Sequence, residues 1–215
     1  MKISSQVISW LFVPLFTPVL GMILAMFIPS TSHDVLNLDC LYTLHIDQKW
    51  QIIYGYFFFC MLVPGLAFMY LKGIGVISTI EVDERKERSI PILIMLGSCL
   101  GLFSLYFFMI PDNVEVPKYI YSYPLSGAVL MAVYFFQTMW KKVSLHGGGM
   151  GIMTGFLIAY AAEMKEFELW VILAAIVASG MVMSARIYLG KHTLLEVVVG
   201  WFTGTFITFA VNYYY

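Results

Sequence analysis

Residues 91–111 read PILIMLGSCLGLFSLYFFMIP, a run without one charged side chain. A helix crosses the hydrocarbon core of a bilayer with about 20 apolar residues, so this segment predicts a transmembrane helix. Six further stretches follow the same rule, at roughly 7–29, 51–71, 123–140, 148–163, 168–184 and 195–213. The fifth and sixth in chain order are short, which predicts tilt or a start inside the protein. Pro14 and Pro18 predict a kink in the first. That first run is too long for a secretory h-region and ends without a small-residue cleavage site, so it is read as a spanning helix.

The composition agrees. Hydrophobic residues make up 60 % of the chain and charged residues 12 %, with a mean hydropathy of +0.84. A soluble domain is about half apolar and a quarter charged. The expected fold is therefore all-α, a polytopic transmembrane bundle of about six or seven helices forming one integral membrane domain over 1–215. A net charge of −1 and the lack of a long basic run give no footing for nucleic acid. Three cysteines, Cys40, Cys60 and Cys99, show no CxxC spacing, which argues against a disulfide framework or a zinc site. Gly97/Gly101, Gly151/Gly155 and Gly200/Gly204 have GxxxG spacing, which predicts close helix contacts within the chain.

Alternating the spans sorts the loops. The N-terminus and the loops near 72–90, 141–147 and 185–194 fall on one face; the loops near 30–50, 112–122 and 164–167 fall on the other, with the C-terminus. The first face carries Lys2, Lys72, Arg85, Lys86, Arg88, Lys141, Lys142, Arg186 and Lys191, the second only Lys49, Lys118 and Lys165. By the positive-inside rule the first face is expected in the cytoplasm, although a cluster that binds substrate is not an orientation signal.

Three segments on that face hold residue types that a membrane helix would not keep without cause. They are Glu81 to Pro91 (EVDERKERSIP), Ser144 to Gly149 (SLHGGG), and Ser184 to Glu196 (SARIYLGKHTLLE). Arg85, Lys86, Arg88, Arg186 and Lys191 supply forked and point charges suited to phosphate oxygens. The triple glycine after His146 opens a helix, where free N–H groups favour an anion, or it permits close packing. His146 and His192 can serve as acid and nucleophile. Glu196, four residues after His192, can orient its ring.

Arg186 to His192 with Glu196 resembles the third signature of the type-2 phosphatidic acid phosphatase superfamily, S-R-x5-H-x3-D. Ser144-Leu145-His146 resembles the second, P-S-G-H, and Arg85 to Pro91 more loosely the first, K-x6-R-P. The resemblance spans positions 85 to 196 and implies a phosphatase-like core over about 72–213, in a divergent bacterial-type member of the inner (cytoplasmic) membrane. It implies a metal-independent, cofactor-free hydrolase acting on a lipid phosphate or diphosphate. In that scheme His192 forms a phosphohistidine, Glu196 holds its ring and His146 protonates the leaving oxygen. Arg88, Arg186 and a second base near Arg85 or Lys86 cradle the phosphoryl group, with Lys191, Ser144 and the N–H of Gly147 helping. The departures are Glu196 for aspartate, Val143 and Leu145 for the proline and glycine of the second signature, and Pro91 three residues after Arg88. Glu81 stands where the first-signature lysine is expected.

A second polar set, His33, Asp34, Asp39, Cys40, His45 and Asp47, contains metal-binding residue types at no recognisable spacing, and reads as surface polarity on the opposite face. Two other functions stay open on the sequence: an inactive relative that binds phospholipid, and a lipid or phosphate transporter. The second predicts ionisable residues at mid-span, which these spans lack.

Overall fold

A computed structural model describes residues 2–33, 39–111 and 113–215. Asp34 lies outside them. The helices run α1 (Lys2–Leu11), α2 (Thr17–Phe27), α3 (Ile46–Tyr56), α4 (Val63–Gly73), α5 (Ser89–Met109), α6 (Tyr119–Trp140), α7 (Leu145–Glu163), α8 (Leu169–Tyr188) and α9 (Leu194–Tyr214). A π-helical segment, Phe57–Leu62, joins α3 to α4 in one rod over Ile46–Gly73. Pro64 explains the widened turn, since it offers no N–H to the carbonyl one turn earlier. Among the described residues five helices are long and apolar enough to cross a membrane: this rod, α5 with the turn preceding it, α6, α8 and α9.

The first expected span is corrected. The stretch 7–29 is not one kinked helix but two short ones, α1 and α2. Pro14 and Pro18 break the ladder between them, and Thr17 Oγ1 donates to the Pro14 carbonyl at 3.0 Å to close the joint. The chain still passes from one end of the bundle to the other, because Ser9 meets His146 while Ser30 pairs with Phe167. A second small departure from an all-helical chain is the antiparallel pairing of β1 (Ser30–Ser32) with β2 (Met164–Phe167).

Helix α7 is the axis, with every residue from His146 to Leu157 buried. Its most extensive contact is with α9, and glycine makes that possible. A Cβ added at Gly151 would stand 2.5 Å from the Trp201 carbonyl oxygen, one at Gly155 2.3 Å from that of Thr205, and one at Gly204 2.7 Å from that of Gly148. Two of the three GxxxG pairs thus pack against each other's helices. The third does not: Gly97 faces open space and Gly101 meets the Phe59 ring.

The far end of the bundle holds most of the second polar set. Cys40 is buried, with its Sγ 3.4 Å from Ser30 Oγ, and the Ser30 hydroxyl meets Tyr160 Oη at 2.8 Å. His45 caps α3 by accepting from the Asp47 N–H. No three described His, Cys, Asp or Glu side chains gather as metal ligands would.

Candidate active site

The near end is built by the N-terminal turns of α7 and α9, the last turn of α8, the 77–88 loop and α1. Ser144 caps α7: its Oγ accepts from the Gly147 N–H at 3.2 Å. That places His146 in the first turn, buried and facing inward. Thr193 caps α9 in a reciprocal box with Glu196, each side chain meeting the other's backbone N–H at 3.3 Å. The same Glu196 carboxylate holds His192 Nδ1 at 2.8 Å, and its backbone carbonyl accepts from the Ser144 N–H at 3.2 Å. One residue therefore ties the His192 loop to the helix that carries His146.

An ionised carboxylate can only accept, so His192 Nδ1 carries the proton and the Nε2 lone pair is left available. Burial pushes the His192 pKa down to about 4, reinforced by the charges of Arg88, Lys142 and Arg186 and opposed by the Glu196 hydrogen bond. The imidazole is thus neutral at neutral pH, with the Nε2 lone pair unprotonated.

Arg186 sits at the centre, 1 % exposed. Its Nη1 donates to Glu81 Oε2 at 2.7 Å and to Ser9 Oγ at 2.9 Å. Asp83 Oδ1 lies 3.8 Å from Nη2, and Nε has no hydrogen-bond partner. A buried guanidinium N–H without a partner is costly, and an anion's oxygen would satisfy it. Asp83 also accepts from Lys191 Nζ at 2.6 Å. Burial alone would raise the Asp83 pKa, but the Lys191 hydrogen bond and the Lys191 and Arg186 charges outweigh it and hold the carboxyl below its usual value.

Val82 separates these two carboxylates. It is the one described non-glycine residue with positive φ, at 50°, and it is buried. A β-branched residue there is strained, at a cost of order 1–3 kcal/mol. Its carbonyl accepts from Arg88 Nε at 3.0 Å, and Arg88 Nη1 donates to the Val143 carbonyl. Arg88, buried at the start of α5, thereby clamps the 77–88 loop onto the turn before α7.

The sequence-predicted residues divide accordingly. Arg186, Arg88, His146, His192, Glu196 and Lys191 converge, and Lys142 joins them by donating to the Lys191 carbonyl at 3.0 Å. Arg85 does not: its Nη1 donates to the Met139 carbonyl at 2.8 Å, where α6 ends with unpaired carbonyls. Lys86 is exposed. Ser144 Oγ and the Gly147 N–H are committed to each other, and the triple glycine serves close packing. Added Cβ atoms there would meet the Val197 carbonyl oxygen at 2.7 Å, the Tyr134 hydroxyl at 2.3 Å and Thr17 Oγ1 at 2.8 Å.

Five participants lie outside the expected set: Lys142, Asp83, Thr193, Glu81 and Ser9. Thr193 was readable from the T-x-x-E spacing of a capping box. Glu81, noted only as a missing lysine, is the carboxylate on Arg186. Ser9 carried no signal at all.

The family model of the PAP2 superfamily matches residues 111–215. No curated protein and no solved structure matches the chain. The matched stretch contains His146, Arg186, His192 and Glu196, and leaves out Ser9, Glu81, Asp83 and Arg88.

Proposed function

The chain belongs to the PAP2 superfamily through residues 111–215, and from that premise we propose that this integral membrane phosphatase hydrolyses a lipid phosphate or diphosphate by way of a phosphohistidine. The observation that carries the reading is the His192–Glu196 pair beside a buried arginine whose Nε lacks a partner. A neutral imidazole with its proton held on Nδ1 has Nε2 free for in-line attack. Arg186, Lys191 and Lys142 supply the positive charge that phosphoryl transfer needs, since that chemistry is mostly positioning and charge stabilisation.

The bonds follow in order. His192 Nε2 bonds to phosphorus as the P–O bond to the leaving alcohol breaks, and His146 gives that oxygen a proton. Burial, reinforced by the Arg186 charge, holds the His146 pKa well below its usual value, so the bound phosphate's negative charge must stabilise the imidazolium that donates it. Water then attacks the phosphohistidine, His146 takes a proton from it, and phosphate departs. No metal is required in this scheme. The lipid assignment rests on where the site lies, at the end of apolar helices where headgroups sit. An apolar groove lined by Val13, Leu15, Phe68 and Met95 also opens beside His146. The catalytic face is read as cytoplasmic on the lysine and arginine distribution.

Phosphate release from purified, detergent-solubilised protein with EDTA present tests the reading. His192→Ala is expected to lower it by about ten-thousandfold or more, as loss of a catalytic nucleophile does. Unchanged release from that variant overturns the proposal.

One observation favours a second reading, a silent relative that binds phospholipid. Glu81 already holds the arginine that a phosphate would need. Binding of orthovanadate without turnover of any phosphate ester would select it. A transporter finds no such support, since α5 and α6 have no charged residue within their bounds.

A further inference from the structure

We propose that Ser9 is a positioning residue of the acid limb, coupling Arg186 to His146 through its hydroxyl. The inference rests on the phosphatase reading above, and concerns a residue well outside the matched stretch 111–215.

Helix α1 turns its apolar side chains outward and a polar one inward. Ile3, Val7, Trp10 and Leu11 are exposed at the bundle surface, while Ser9 is the one buried residue of the helix, 3 % exposed. Lipid can cover the outward apolar side chains, but a serine turned into the bundle gains nothing from apolar burial at that position. What Ser9 gains is a pair of polar contacts. Its Oγ accepts from Arg186 Nη1 at 2.9 Å and lies 3.4 Å from His146 Nε2.

A hydroxyl has one proton and two lone pairs, and a guanidinium only donates. With one lone pair on Arg186, Ser9 can still serve His146 in either protonation state. It donates its hydrogen to Nε2 when that nitrogen is bare, and accepts from it when Nε2 carries a proton. A group that acts as acid in one step and base in the next needs a neighbour that tolerates both. The ring is thereby held with Nε2 toward Arg186, where a phosphoryl group bound to that arginine places its bridging oxygen. In the acid form the Nε2 hydrogen is shared between Ser9 Oγ, a long contact at 3.4 Å, and the bridging oxygen. As the P–O bond breaks, its electron pair stays on that oxygen and the proton moves wholly onto it. Neutral His146 then accepts the Ser9 hydrogen bond.

The leaving group supplies the test. An alkyl phosphate releases a strongly basic alkoxide and depends on the acid; p-nitrophenyl phosphate releases a stable phenolate and does not. Ser9→Ala should lower kcat on dodecyl phosphate by about ten- to a hundredfold with little change in KM. The loss on p-nitrophenyl phosphate should be at least tenfold smaller, and Ser9→Thr should restore most of the difference. Equal losses on both substrates would make Ser9 merely structural, and no loss on either would remove it from the site.

A second readout does not need turnover. In protein labelled with 15N-histidine, the His146 Nε2 resonance should move on Ser9→Ala and stay near its original position in Ser9→Thr. A resonance unmoved in Ser9→Ala overturns the coupling even if the protein hydrolyses neither ester. Absence of hydrolysis by the unsubstituted protein would count against the phosphatase reading instead.

Discussion

The two ends of the bundle both bury polar side chains, and they settle them differently. At the far end the charged side chains are matched, although the Tyr123 and Thr208 hydroxyls beside them are buried without a partner. Glu163 receives Lys118 Nζ at 2.8 Å and the Tyr119 hydroxyl, Ser122 donates to Asn212 Oδ1 at 2.8 Å, and Tyr160 Oη accepts from the Leu41 N–H at 3.1 Å. At the near end Arg88, Arg186, Lys142 and Lys191 face Glu81, Asp83 and Glu196. There Arg186 Nε and Asp83 Oδ1 are buried without hydrogen-bond partners. A matched ion pair fastens helices, whereas a buried guanidinium left short of a partner can still take up an anion. The contrast teaches that burial of charge alone does not mark a site in such a bundle, whereas unmet hydrogen-bonding capacity beside a neutral histidine does.

The hardest blow to that contrast is Arg186→Lys. An ammonium keeps the charge but loses the fork, and turnover should fall about a hundred- to a thousandfold. A variant within threefold of the parent in phosphate release would show that the near end is fastening too. Next in size is the response to pH. Because the His192 pKa is lowered to about 4, the acid limb of kcat/KM assigned to the nucleophile should lie well below 6.5. The same shift acts on stability. Between pH 6.5 and about 4 the unfolded chain binds a proton that the folded chain refuses, so His192 contributes stability above that window and loses it as pH falls through it. A nucleophile limb at 6.5 or higher, traced across buffers, would contradict the burial argument.

Glu81→Gln is a smaller perturbation in the opposite direction. Freed of a competing carboxylate, Arg186 should bind inorganic phosphate about three- to tenfold more tightly, read as a lower inhibition constant. An unchanged constant would mean that phosphate does not approach Arg186 on that side. Smallest of all is Glu163→Gln at the far end. It should cost about 1 kcal/mol of stability in a denaturation titration and leave kcat within twofold. A catalytic defect there would couple the two ends and undo the comparison.

How much of this was legible in the sequence depends on distance along the chain. The spans were, because hydrocarbon demands long apolar runs and composition reports them directly. Arg186, His192 and Glu196 were, because one helix end and one turn keep them close in number as well as in space. Arg85 and Lys86 were not separable from each other as the second base beside Arg88, since neighbouring bases look alike until one caps α6 and one faces outward. The triple glycine had two explanations in sequence, and only the proximity of Tyr134, Thr17 and the Val197 carbonyl decided between them. Ser9 and Glu81 lay out of reach for a plainer reason. Their meeting with Arg186 exists only after three remote segments have packed, and nothing in local periodicity encodes it. The prolines at 14 and 18 announced a bend, but not that it would divide the first apolar run and bring α1 against the site.

The glycine seam between α7 and α9 has a consequence for how the site can vary. His146 and Glu196 stand on the first turns of two helices held at backbone thickness by Gly151, Gly155 and Gly204. Their separation is thus gauged where no side chain stands, more than a full turn below the chemistry. A single methyl added at that depth would wedge the helices apart and splay His146 from the Glu196 carboxylate while altering neither. Under the proposed mechanism, tolerance is therefore a matter of spacing first and of functional groups second. A search for inactivating changes should begin at residues that carry no chemistry of their own.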